Sequence, residues 1–184
     1  SITDGQIVLD TKLFAEGHKP AVDVGTSVSR VGGKTQVRAL RDAVGHMRLS
    51  YAQFLELELF TRFGERPEPR VKAQIERGQR LRALLSQPQF QPLRVVDQVV
   101  LALAWDAGLF DPLPVEAVSV VRARLPAWLD HDQPTLAPGV DAATRVTPEL
   151  REAALASVQR LLADADLTPP ISPTTPAPPV GPSS

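Results

Sequence analysis

From Val37 onward the apolar residues recur three and four apart. Val37, Leu40, Val44, Met47, Tyr51, Phe54, Leu57 and Phe60 fall on one face of a helix, a pattern that a strand of period two does not produce. The spacing predicts a long helix from Lys34 to about Arg62. Gly64 stands where a left-handed cap falls, and Gly45 in the interior marks a weak point or a close packing contact. So long an apolar face has to be buried, and the rest of the chain has to bury it.

The following segments have the faces to do so. Val71, Ile75, Gly78, Leu81 and Leu85 make a second helix behind Pro67 and Pro69, ending before Pro88. Pro92 is placed to open a third, with Val95, Val96, Val99, Val100 and Leu103, which Gly108 closes. Pro114 opens a fourth, with Val118, Val121, Leu125 and Trp128, and Pro126 acts in it as a kink or a stop. "DHDQPTLAPG" reads as loop, while Thr147-Pro148-Glu149 supplies the cap, first-turn proline and favourable acid of a last helix through about Ala163. "TPPISPTTPAPPVGPSS" has nothing to build a core from and reads as extended and mobile.

Ahead of the helices the pattern is strand-like. In "SITDGQIVLD" the turn signal Asp4-Gly5 precedes the β-favouring "QIVL", and "PAVDVGTSVSRV" alternates with period two until Gly25 interrupts it. These pieces are too short to stand as a sheet alone. The expected fold is therefore mainly α, an antiparallel helical bundle preceded by a short strand-rich piece and followed by a disordered proline-rich tail.

Charge and composition remove several function classes. The 20 basic and 21 acidic residues leave a net charge of -1, so no whole-molecule field favours nucleic acid or an anionic membrane. With no cysteine there are no disulfides, thiolate metal sites or cysteine nucleophiles. The apolar run "VVLALAW" is far below the roughly 20 residues that span a bilayer, so direct membrane insertion is not expected. The chain begins at Ser1 without a methionine or a leader pattern, which suggests a piece of something longer. His18, His46 and His131 lie in different elements, so no metal site is expected. Ser27 and Ser29 have no histidine base placed by sequence, and the acids, as in "ELEL", read as solvated helix faces.

One loop asks for chemistry. "GTSVSRVGGKT", residues 25–35, ends like a Walker A phosphate loop in Gly33-Lys34-Thr35, but the first glycine of that motif would fall on Val28. A β-branched residue resists the positive φ such a turn needs, so direct phosphate binding by this loop is disfavoured. Arg30 has two readings on spacing alone. The plainer is a solvated arginine in a strand-to-helix connection, since the chain has 16 arginines. The other is a planar, permanently charged fork offered to a phosphate oxygen on a neighbouring chain.

The order of the motifs bears on that choice. "SITDGQI", "KPAVDVGTSVSRVGG", "YAQFLELELFTRFG" and "RGQRLRALLSQPQF" resemble, colinearly, the C-terminal third of the alpha subunits of F-type ATP synthases. The likeness is strong over residues 1–90 and weaker but colinear to about Trp128. It implies three parts: residues 1–33 as the end of an α/β nucleotide-binding domain, 34–166 as a C-terminal helical bundle domain, and 167–184 as the tail. In that family the arginine of "SVSR" is the arginine finger that enters the catalytic site of the adjacent beta subunit, a role that falls on Arg30. The first serine of "SITDGQ", which corresponds to Ser1, is assigned to the same catalytic interface.

The resemblance also implies a noncatalytic nucleotide whose adenine lies against an arginine-proline pair and two glutamines. The matching positions are Lys19 and Pro20, and Gln87 and Gln89. Lys19 departs from the arginine and cannot stack in the same way. The cofactors implied are ATP and ADP with magnesium, in the complete subunit and assembled complex. The partners implied are beta subunits and the gamma rotor, in a peripheral complex on the cytoplasmic face of a membrane, a bacterial inner membrane for preference. With no Walker A loop in these residues, the chain alone is expected to bind nucleotide weakly or not at all. The alternative reading is a free-standing interaction module or an inactive remnant.

Overall fold

The computed structural model describes residues 4–61, 68–142 and 145–167. The elements in order are β1 (Gly5–Gln6), α1 (Thr11–Ala15), β2 (Val28–Ser29), α2 (Arg30–Thr35), α3 (Arg38–Thr61), α4 (Pro69–Leu85), α5 (Val95–Asp106), α6 (Val115–Asp132), α7 (Leu136–Ala142) and α8 (Pro148–Asp164). The expected mainly helical architecture is what forms. Ser1, the helix end at Arg62 with its Gly64 cap, Pro67 and the proline-rich segment from 168 on lie outside the described residues.

The bundle is organised around α5. Every residue from Val99 to Trp105 is buried, so over these two turns the helix has no solvent face, as its nearly unbroken apolar sequence requires. It packs against α3, α6, α7 and α8, while α4 bridges α3 to α6. The start of α5 is pinned by Asp97, which is 0% exposed. Its carboxylate accepts the backbone N–H of Arg94 at 3.0 Å and the guanidinium at 3.0 and 2.9 Å. That guanidinium also reaches Asp130 at 2.6 Å and the Pro126 carbonyl at 3.0 Å on α6. These bonds, Asp97 first and then Asp130, hold Arg94 above its ordinary range. Gly108 closes the helix at φ 76° as expected.

At α8 the Thr147 hydroxyl accepts from the Leu150 N–H at 3.2 Å with Pro148 in the first turn. Its far side is tied to α6 through Asp132, which accepts from Ser157 Oγ at 2.7 Å and from Arg160 at 3.0 and 2.6 Å.

Several local expectations are corrected. "DHDQPTLAPG" is not all loop, because α6 runs through Asp132 and α7 begins at Leu136, burying Leu136 and Val140 against the core. Pro138 is tolerated because it falls in the first turn, whose amides have no intrahelical acceptor. Pro126 does not stop the helix, since α6 runs through it between Leu125 and Leu129, both buried. The long helix does not start at Lys34: α2 ends at Thr35, Gln36 turns to extended backbone at ψ 141°, and α3 begins at Arg38. The close packing contact belongs to Gly78 instead of Gly45, where a Cβ would meet nothing within 4 Å.

In the N-terminal part, Asp4-Gly5 is not a turn. Gly5 pairs with Ser29, and Gln6 with Val28, in the antiparallel β1–β2 ladder. Among the described residues the alternating segments yield only this pair and an isolated bridge between Leu9 and Val22. The short α1, capped by the Asp10 carboxylate, buries no residue and left no periodic signal. Among the described residues no helix is long and apolar enough to cross a membrane.

Candidate functional site

Arg30 stands at the junction of β2 and α2. The expected strand-end loop is instead the first turn of a helix, because Ser29 caps it: its Oγ accepts the Gly32 N–H at 2.9 Å. The Arg30 backbone N–H donates to the Asp4 carbonyl at 3.0 Å, which extends the β1–β2 ladder by one bond. The side chain is exposed and meets no acid within ion-pair range among the described residues. Its charge thus faces solvent with no acid of the described residues paired to it.

The approach to this corner is stiffened by hydrogen bonds. Asp23 accepts from the Gly25 N–H at 2.8 Å and the Thr26 N–H at 3.2 Å, an Asx turn. Bonds from Thr26, side chain first and then backbone, hold the Asp23 carboxylate below its ordinary range. Ser27 Oγ accepts the Val8 N–H at 3.0 Å, and the Ser27 carbonyl accepts from Arg48 of α3 at 3.3 Å. Sequence reasoning read Asp4 and Gly5 only as a turn signal and passed over Asp23 and Arg48. Asp-x-Gly-Thr was a legible turn signal, whereas Arg48 carries no pattern that joins it to a segment 21 residues away.

The expected adenine group is brought together in part. Lys19 and Pro20, joined by a cis peptide, lie beside the end of α4. The Gln87 N–H donates to the Lys19 carbonyl at 2.7 Å, and Ser86 Oγ to the same oxygen at 3.4 Å. Gln89 is exposed two residues further on, in the turn closed by Gln91 N–H to the Pro88 carbonyl at 3.3 Å. A mostly apolar pocket of about 250 Å³ opens here, with Lys19, Pro20, Tyr51, Arg82, Leu85 and Ser86 in its wall. The two glutamine side chains are not part of that wall. The volume lies below the roughly 300 Å³ at which ligand pockets begin, so it suits a ring system and not a whole nucleotide.

Arg82 forms the rigid back of this pocket. It chelates Glu58 at 2.9 and 2.7 Å, reaches the Tyr51 hydroxyl at 3.4 Å, and lies 4.6 Å over the Phe54 ring. Burial opposes its charge, but the bonds to Glu58 and Tyr51 outweigh it and the guanidinium sits above its ordinary range. Phe54 can lie this close only because α4 has Gly78 at the crossing.

Residues 36–161 match the family described as ATP synthase alpha/beta chain, C terminal domain. Residues 1–29 match the ATP synthase alpha/beta family, nucleotide-binding domain. Among similar proteins, ATP synthase subunit alpha 3 of Paraburkholderia xenovorans is 61% identical over 130 residues, 71% of this chain and 24% of its own length. ATP synthase subunit alpha 2 of Burkholderia pseudomallei is 59% identical over 140 residues, 76% of this chain and 21% of its own. ATP synthase subunit alpha 2 of Burkholderia thailandensis is 54% identical over 167 residues, 90% of this chain and 30% of its own. The chain thus spans a third or less of the length of these relatives. With residues 36–161, more than half of its length, matched by the C terminal domain of that family, the chain belongs to the ATP synthase alpha/beta family.

Proposed function

We propose that this sequence serves as the C-terminal part of an alpha-type subunit in a rotary F-type ATP synthase, and that Arg30 is offered in trans to the catalytic site of a neighbouring beta subunit. The observation that carries this reading is the exposed, unneutralised Arg30 side chain on a backbone fixed by the Asp4 carbonyl and the Ser29 cap. A guanidinium in that position stabilises charge on the transferring phosphoryl group, an effect of roughly 10³ to 10⁵ in rate. Ser1 belongs to the same interface under this reading. Ile7, Leu9 and Phe14, 74%, 70% and 64% exposed, are the apolar surface expected of a segment covered by more of a nucleotide-binding domain.

Lys19, Pro20, Gln87 and Gln89 form one side of a noncatalytic adenine site. The apolar wall beside Lys19 and Pro20 fits a base, and glutamine amides can pair with its edge. The phosphates, with magnesium, are held by groups other than this segment's Gly33-Lys34-Thr35, which forms the end of α2 without the first glycine of a phosphate loop. Residues 34–166 act as the bundle that joins beta neighbours and surrounds the gamma rotor, on the cytoplasmic side of a bacterial inner membrane.

The test is Arg30→Ala in the assembled complex. Steady-state ATPase turnover should fall at least 10³-fold while beta and gamma subunits still co-purify. Near-normal turnover in a complex that assembles would refute the assignment.

A further inference from the structure

The aim of Arg30 depends on a contact one strand away. Gly5 lies opposite Ser29 in the β1–β2 ladder, and a Cβ at Gly5 would meet the Val28 carbonyl oxygen at 2.5 Å and Ser29 Cα at 2.9 Å. Both are backbone atoms, so no side-chain rotation relieves the clash. The φ of Gly5 is outside the left-handed range, since only Gly17 and Gly108 among the described glycines are there. Glycine at this position therefore serves close approach and not an unusual backbone angle.

The next bond along the ladder is Arg30 N–H to the Asp4 carbonyl at 3.0 Å. Whatever moves β1 away from β2 acts on Arg30 directly. On the other side Arg30 is held by the cap, where a Cβ at Gly32 would meet Ser29 Oγ at 2.5 Å. Arg30 is thus clamped between two close approaches, each occupied by a glycine.

We infer that Gly5 is a positioning residue for Arg30, acting through the β1–β2 ladder. The inference rests on the trans role of Arg30 given above. Ordinary contact begins at 3.4 Å, so a methyl at Gly5 drives the strands about 0.9 Å apart at Val28. A misplacement of about 1 Å of a charge-stabilising group costs on the order of 10²-fold in rate.

The experiment compares Gly5→Ala, Arg30→Ala and the double variant in the assembled complex. Gly5→Ala should lower kcat between about 10-fold and 100-fold with KM within about twofold of wild type. In the Arg30→Ala background it should cost nothing further, because the group it aims is gone. A purely structural role would instead add its loss to that of Arg30→Ala. If Arg30→Ala abolishes turnover and Gly5→Ala does not lower kcat, or lowers it equally in both backgrounds, the positioning role is refuted while the role of Arg30 stands. If Arg30→Ala itself is near normal, it is the trans role that fails.

Should the Gly5→Ala complex not assemble, amide exchange on the full chain gives the answer. Protection of the Arg30 N–H should drop at least tenfold in the variant, with α5 unchanged. Equal protection at Arg30 in both chains would overturn the inference.

Discussion

Gly78→Ala offers a test in which helix propensity and packing predict opposite signs. Gly78 is interior to α4, and alanine there gains about 1 kcal/mol of propensity. Its Cβ, however, would clash with Cβ, Cγ and Cδ2 of Phe54. Cβ and Cγ lie on the χ2 axis, so turning the ring does not clear them. Either α3 and α4 separate, an overpacking cost of about 1–3 kcal/mol, or Phe54 leaves its buried site at a cost of about 3–5 kcal/mol. Phe54 is 2% exposed and lies under Arg82, so either route also loosens the Glu58–Arg82 pair. After subtracting the propensity gain, the net loss is about 2 kcal/mol, or about 4–8 °C in Tm for a chain of this size. Urea unfolding of the single variants and of Gly78→Ala in a Phe54→Ala background provides the assay. In that background the added methyl fills vacated space and should be neutral or stabilising. A Gly78→Ala chain as stable as wild type, or a cost that persists without the Phe54 ring, would refute the packing argument.

Gly45→Ala should do the opposite and raise stability by about 0.5–1 kcal/mol, since its position in α3 is exposed with nothing within 4 Å of the added carbon; a shift in the urea midpoint reads it directly. Acid should destabilise the bundle through two aspartates. Asp106 is held below its ordinary range by Arg151 first, with a smaller share from His46, and Asp132 by Arg160 first and then Ser157, each against burial. The unfolded chain therefore binds more protons, so this stability is present above the ordinary aspartate value of about 3.9 and is lost as pH falls through the lower native values. Urea midpoints between pH 6 and pH 3 should fall less steeply in Asp106→Asn/Asp132→Asn than in wild type.

The sequence showed most plainly the elements whose periodicity and punctuation agree. α4, α5, α6 and α8 each have an apolar face and a proline, glycine or threonine near an end. α1 and α7 went unread because five and seven residues are too few to show a helical period, and because the burial of Val140 is decided by the core it meets. The Lys19–Gln87 contact joins residues that no local pattern links, so only the family resemblance put them in one group. Arg30 was named the same way, but its setting was misjudged, since a pair of glycines reads as a loop unless a serine three residues ahead of the first is seen to cap a helix. The role of Gly78 was visible only as a gap in an apolar stripe, because the chain records that a side chain is missing and not which ring takes its place.

The burial of α5 on all its faces bears on how the bundle comes apart. Its neighbours α3, α6, α7 and α8 come from both halves of the helical sequence, and each half would leave part of α5 bare if the other detached. Neither half has a private core to retreat to, so a local helical hairpin gains little by persisting alone. The helical part should accordingly melt as a single cooperative unit, with one transition seen alike by every probe.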